Sequence, residues 1–182
     1  VKARTRTLAL AAALAAVLAA VVAGALLLVE RPDQAARARH DRATRALPFQ
    51  PGEVAALFIA PRGTPGVQVV RDGPGWFLPP PGGRVSTLAV EGLLERLAGM
   101  RVRSATTGGQ DGLASRGLDP PVARLTLRLR DGTELSLDLG DENPFDRTRF
   151  GRRDAEILAI EGVPDAALDP SPGRLLAPPG GG

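Results

Sequence analysis

The chain contains no cysteine, and that absence removes several chemistries at once. No disulfide, thiolate metal site or cysteine nucleophile can be built, and a lipoprotein anchor, which needs a cysteine at its cleavage site, is excluded. Histidine is nearly as scarce. His40 is the only one, so neither a Ser/His/Asp triad nor a His-ligated zinc site can be assembled within one chain. It lies among arginines in a polar stretch and reads as a solvated side chain. Aromatic residues make up 3% of the chain. Carboxylate pairs for glycoside hydrolysis are set by space and not by sequence, but such sites usually offer aromatic platforms, and few are available here. Neither G-x-G-x-x-G nor G-x-x-x-x-G-K-[ST] occurs, so nucleotide binding has no support.

What the chain does have is a run of 22 uncharged residues at 8–29, LALAAALAAVLAAVVAGALLLV. As a helix it would span about 33 Å, enough for a hydrocarbon core of roughly 30 Å. Residues 1–7, with Lys2, Arg4 and Arg6, read as a short basic cytoplasmic tail. Ala23-Gly24-Ala25 offers a cleavage site for a secretory signal. The apolar continuation through Leu26, Leu27, Leu28 and Val29 favours an uncleaved transmembrane helix. Arginines flank the run on both sides, so charge alone does not orient it. The short tail is easily kept in the cytoplasm; together with the family resemblance given below, the expectation is a single-pass chain in the inner membrane with a periplasmic domain.

An overall pI near 10.7 suggests nucleic-acid binding until the charge is divided along the chain. Residues 1–45 carry the basic surplus. From residue 46 onward 15 arginines face 17 acids, a net of −2, so the folded part has no one-sign field for phosphate. Nucleic acid is not an expected partner. The lipid bilayer is, and the basic surplus lies where it can meet anionic headgroups.

Pro32 breaks the membrane helix, and residues 30–46 read as a charged stalk. A folded domain is expected over 47–168, with 169–182 a disordered Pro/Gly-rich tail. Within the domain, strands are expected at Glu53–Ala60, Val67–Arg71 and Trp76–Leu78, separated by Gly/Pro turns. An amphipathic helix follows, with Val90, Leu93, Leu94 and Leu97 on one face. Ser86 or Thr87 caps its start and Gly99 its end. Further strands are expected at 148–152 and 156–161, and a helix start at 163–168. Trp76 reads as a core anchor. The acidic loop Asp141, Glu142, Asn143, Asp146 lacks the ligand spacing of a calcium loop and reads as solvated.

The hairpin around Asp131-Gly132 is the most legible element. Leu125, Leu127 and Leu129 alternate with polar residues, as do Leu135, Leu137 and Leu139. A two-residue loop would set apolar against polar across the whole pair. A three-residue loop, 130–132, with Gly132 left-handed in a bulge, sets Leu127 against Leu135, Leu125 against Leu137, Arg128 against Glu134 and Arg124 against Asp138. The fold class expected is therefore α+β: antiparallel β-meanders and hairpins with one main amphipathic helix packed on the sheet, preceded by a single N-terminal transmembrane helix.

Gly117-Leu118-Asp119-Pro120-Pro121 is the least common short motif. Each proline pushes the residue before it out of the helical region, so a stiff extended segment is expected to feed the hairpin, with Leu118 plugging the core. The order of features resembles the bacterial and archaeal domain-of-unknown-function family 4340. The resemblance rests on the N-terminal apolar helix, Leu47-Pro48-Phe49, the strand EVAALFIA, Trp76 to Leu78, the amphipathic helix, the 117–121 motif and a strand ending in Leu139-Gly140. It departs at Arg116, where members often carry an aromatic. The resemblance implies a membrane-anchored domain associated with ABC-type export systems, including gliding-motility-type auxiliary components, and it brings no catalytic, cofactor-binding or metal-binding residues. The residues singled out, Trp76, Gly117, Leu118, Asp119, Pro120, Pro121 and Gly132, are structural. The function expected is non-enzymatic, without cofactor: an extracytoplasmic accessory or scaffolding domain contacting an ABC-type permease complex. The alternatives are a ligand-binding module for envelope polysaccharide or a small solute, and a hydrolase.

Overall fold

A computed structural model describes residues 39–40, 43–79, 82–107 and 112–170. The chain divides into two units, Val1–Asp41 and Arg42–Gly182. Of the first, Arg39 and His40 are described, both helical and exposed. The expected basic tail 1–7 and spanning segment 8–29, most of the stalk, and residues 171–182 lie outside the described residues. Among the described residues no helix is long and apolar enough to cross a membrane.

In the second unit the strands are β1 (Val54–Pro61), β2 (Val67–Asp72), β3 (Gly75–Phe77), β4 (Arg84–Val85), β5 (Arg101–Thr107), β6 (Ala123–Leu129), β7 (Glu134–Glu142), β8 (Arg149–Arg153) and β9 (Glu156–Glu161). One helix, α1 (Thr87–Ala98), lies between β4 and β5. The strands form one nine-stranded sheet in the order β4-β3-β2-β1-β6-β7-β8-β9-β5, and every pairing is antiparallel. Two meanders, β1–β4 and β6–β9, are thus joined side by side through the β1–β6 pair. The domain is α+β and mostly β.

The hairpin β6–β7 has the register that the leucine alternation selects. Leu127 pairs with Leu135, Leu125 with Leu137, Arg128 with Glu134 and Arg124 with Asp138. Gly132 takes φ +88, the left-handed value that closes the three-residue loop. The leucines at 125, 127, 137 and 139 are fully buried and join Leu57 and Ile59 of β1, Val69 of β2, Trp76 of β3 and Leu158 and Ile160 of β9 in one cluster. Val90, Leu93, Leu94 and Leu97 of α1 fill its centre. Ser86 is the N-cap, its Oγ accepting from the Ala89 N–H at 3.3 Å.

The connection through α1 forces the sheet to curl. Laid flat, nine strands would put β4 and β5 about 38 Å apart. Residues 86–100 must bridge them, yet a helix of this length rises about 18 Å and its short flanks add only a little more than 10 Å. The sheet therefore wraps round α1, whose buried face shares one core cluster with residues from seven strands.

Several elements differ from expectation. β4 and β5 were not anticipated: β4 has two residues, and β5 carries no apolar alternation because all but Val102 are exposed. At 163–168 only a 3-10 turn, Asp165–Ala167, forms. The chain joins the sheet two residues before Leu47. Arg45 bridges Arg101, the Ala46 N–H donates to Met100 O at 3.1 Å, and Ala46 is buried.

Candidate functional site

Strand directions bring the sequence-selected motifs to one end of the sheet. β6 starts there with Ala123 opposite Leu139 of β7, so the 117–121 segment, the end of β7 and the 141–148 loop are neighbours. The segment is a tight turn and not the extended feeder that its prolines suggested: Leu118 bridges Pro121, and the Asp119–Pro120 peptide is cis. The Val122 N–H then donates to both Gly117 O, at 3.1 Å, and Leu139 O, at 2.8 Å. With its carbonyls turned outward, the turn needs a donor, and Arg62 supplies it from the end of β1. Its Nε donates to Pro121 O at 3.1 Å and its Nη2 to Gly117 O at 3.2 Å, with a further bond to Pro120 O. Leu118 is fully buried, but over Gly140 and outside the main cluster. Gly117 sits at φ +64, and a Cβ there would lie 2.5 Å from the Asp141 carboxyl carbon.

The loop after β7 is braced by its own polar side chains. Asn143 Oδ1 accepts the Phe145 N–H at 3.1 Å, and the Asn143 N–H donates to Thr148 O at 2.6 Å. Asp146 Oδ1 accepts from the Thr148 N–H at 3.1 Å and from its hydroxyl at 2.8 Å. The Thr148 hydroxyl holds the Asp146 carboxyl below the usual carboxylate range. Glu142 pairs with Arg147 at 3.3 Å. The loop ends up presenting Phe145 to solvent, 94% exposed. Among the described residues, no group of three or more His, Cys, Asp or Glu side chains is placed to hold a metal.

Two further polar clusters lie on the sheet. On its outer face Asp138 is 6% exposed, covered by Arg124 (Nε to Oδ1 2.6 Å, Nη2 to Oδ2 3.1 Å) and by Arg152 (Nη2 to Oδ2 2.7 Å). Burial opposes the Asp138 charge, but the hydrogen bonds from the two arginines outweigh it and lower its pKa. Because the folded value is depressed, this stabilisation is present above the ordinary carboxylate pKa and disappears as pH falls through the folded value. We expect Asp138→Asn to lower stability by a constant amount above about pH 5, with the gap to the parent closing below about pH 4. Urea melts of both proteins across pH 2.5–7 would check this, and a gap independent of pH would count against it.

Under α1, Trp76 is fully buried, with Arg71 stacked 4.5 Å from its ring centroid. Glu91 Oε1 accepts from Trp76 Nε1–H at 3.1 Å and from Arg71 Nη2 at 2.6 Å. Sequence reasoning paired Arg124 with Asp138 but missed Arg152, Arg62, Arg71 and Phe145. Arg62 reaches its partners through the non-consecutive β1–β6 pairing, Arg152 through the bulged β7–β8 register and Arg71 through Glu91 of the packed helix.

A small cleft among the described residues lies at the opposite end of β7. About 100 Å³ in volume, it is lined by Leu47, Pro48, Glu134, Leu135, Ser136, Arg153 and Asp154. Small-molecule sites typically enclose about 300–1,000 Å³, so this cleft does not suit a drug-sized solute.

These features define an antiparallel, mostly β α+β domain. The chain belongs to the family described as Domain of unknown function (DUF4340), whose model matches residues 76–176. The match begins at Trp76, so Leu47-Pro48-Phe49 and the β1 strand, which contribute to the resemblance seen in the sequence, lie outside it. No curated protein and no solved structure matches the chain.

Proposed function

We propose that the protein is a non-enzymatic accessory or scaffolding domain of an envelope ABC-type transport complex, held in the inner membrane by residues 8–29 with its folded unit in the periplasm, and acting by protein–protein contact. The observation that carries this reading is the β5 edge. β5 ends the sheet order. Among the described residues the Arg45–Ala46 segment pairs with its start, and Ser104, Ala105, Thr106 and Thr107 are exposed. Natural edge strands are normally blunted by charges, proline or bulges; β5 has Arg101, Arg103 and a bulge between Val102 and Ser104 at its start, and none of these from Ser104 to Thr107. Such an edge accepts an extended strand from a partner, with backbone hydrogen bonds giving affinity. Membrane attachment raises the effective concentration of weak partners.

The test is a Ser104→Lys/Thr106→Lys double variant of the full chain, crosslinked in its own membranes and analysed by mass spectrometry. Permease components should be recovered with the parent chain and lost with the variant, while the melting temperature stays unchanged. Undiminished recovery from the variant, or recovery of no transport component with the parent, would reject the reading.

A further inference from the structure

We propose that the cleft at the N-terminal end of β7 is filled by this chain's own C-terminal segment, Leu176 seating on its apolar floor and Arg174 meeting the carboxylates at its rim. The inference is independent of the β5 edge and of the transport reading.

The cleft is apolar below and acidic above. Leu47, Pro48 and Leu135 form the floor, with Glu134, Ser136, Arg153 and Asp154 round it. Arg153 is already engaged: its Nη2 donates to Glu156 at 2.8 Å, and its Nη1 donates to the carbonyls of Arg45 and Ala46 at 2.8 and 3.2 Å. Glu134 and Asp154 are exposed, and neither joins an ion pair among the described residues. Arg128 faces Glu134 in the strand register but does not close to ion-pair distance. A fitting occupant therefore brings one aliphatic side chain, one cation and no acid. An engineered cavity of about 150 Å³ stays dry and takes benzene. An open cleft of about 100 Å³ is the size for one leucine side chain.

The chain carries such a segment beyond the described residues. Residues 170–177 read PSPGRLLA, and Arg174 is the only charged side chain among them. Pro172 and Pro178 flank the Arg174-Leu175-Leu176 triplet, and proline favours extended backbone at the residue before it. In an extended segment side chains two apart point to the same side, which sets Arg174 and Leu176 together. The family match runs through this triplet and ends at Leu176, so the triplet belongs to the recognised domain.

Position allows the contact within one chain. β9 ends at Glu161, which pairs with Arg101, and Arg101 bridges Arg45, two residues before Leu47. Antiparallel partners lie about 5 Å apart and two residues span at most about 7 Å, so Leu47 is within about 17 Å of Glu161. Ala167 lies in the core cluster that Leu47 also joins, and Pro170, the last described residue, is still buried. Six residues separate Pro170 from Leu176, a reach of up to about 20 Å.

The cysteine-free sequence permits a direct test on the full chain in its own membranes. On oxidation, a Ser136→Cys/Ala177→Cys variant should close a disulfide within one chain. A Phe145→Cys/Ala177→Cys control, with its first thiol exposed beyond the far end of β7, should close little. Adding Leu176→Ser should cut the 136–177 disulfide about tenfold, the factor expected when a buried aliphatic side chain is lost. Arg174→Glu should cut it about two- to fivefold, and adding Asp154→Lys to that variant should restore it. Circular dichroism of each variant checks that the unit is folded. Equal yields from the two cysteine pairs, indifference to Leu176→Ser, or no recovery on charge exchange would overturn the proposal. So would a disulfide joining a Ser136→Cys chain to a differently tagged Ala177→Cys chain as readily as it closes within one, which would assign the cleft to the segment of a second copy.

Discussion

Leu127→Asp should unfold the Arg42–Gly182 unit, whereas Arg128→Ser should lower its melting temperature by less than about 4 °C. The two residues are adjacent, but the β6–β7 register sends them to opposite faces. Leu127 is fully buried against Leu57 and Leu135, and Arg128 is exposed opposite Glu134. Truncating a buried leucine costs about 2–5 kcal/mol, and leaving a carboxylate there without a partner adds several more. Together these consume most of a typical domain stability of about 5–15 kcal/mol. Losing the exposed cross-strand charge pair costs about 0–1 kcal/mol. Circular dichroism melts of both variants decide the matter, and similar losses would refute the register.

Gly140→Ala should be the most damaging glycine substitution in the unit. A Cβ at that position would lie 2.2 Å from the Arg116 carbonyl oxygen and 3.0 Å from Leu118 Cγ. The nearer atom is backbone, so relief requires moving the 114–121 segment away from β7. Overpacking of this kind costs typically 1–3 kcal/mol, and here the obstruction is main chain, so about 3 kcal/mol or more is expected. Two comparisons isolate the cause. Gly132→Ala meets no atom but must adopt φ +88, a cost of about 1 kcal/mol. Gly52→Ala meets nothing and has no positive φ, so it should be neutral. Denaturation midpoints should fall in the order Gly52→Ala, Gly132→Ala, Gly140→Ala. A Gly140→Ala protein as stable as Gly132→Ala would show that the turn is not seated on β7 as described.

What the sequence disclosed follows from what each element buries. β6, β7 and α1 have one face in the core and one in water, and their leucines carry that asymmetry as period 2 or period 3.6. β5 is an edge strand exposed on nearly all sides, so Arg101–Thr107 shows no alternation to detect. The 117–121 segment misled for another reason. Proline restrains its own φ and the preceding residue, but the carbonyls of Gly117, Pro120 and Pro121 are gathered by Arg62, some 55 residues or more away in sequence. No local rule sees that clamp. Asp138 was matched to Arg124 through the hairpin parity, while Arg152 depended on pairing across the β7–β8 bulge between Leu139 and Glu142. Phe145 looked like an ordinary loop residue because exposure is a property of the fold and not of the string DENPFD.

The central position of β1 also bears on where the chain may be cut. The family match starts at Trp76, after β1 and β2 have ended, yet β1 is the strand that joins β2 to β6. A fragment comprising only the matched span would leave the β6 backbone from Ala123 to Leu129 without its neighbour and strip Leu57 and Ile59 from beside Leu125 and Leu127. An apolar, seven-residue open edge of that kind templates intermolecular pairing and aggregates. The smallest autonomous piece must therefore reach back at least through β1, and back to Arg45 if the bridge that covers the start of β5 is to be kept, so the boundary of the recognisable sequence and the boundary of the foldable unit lie roughly 20–30 residues apart.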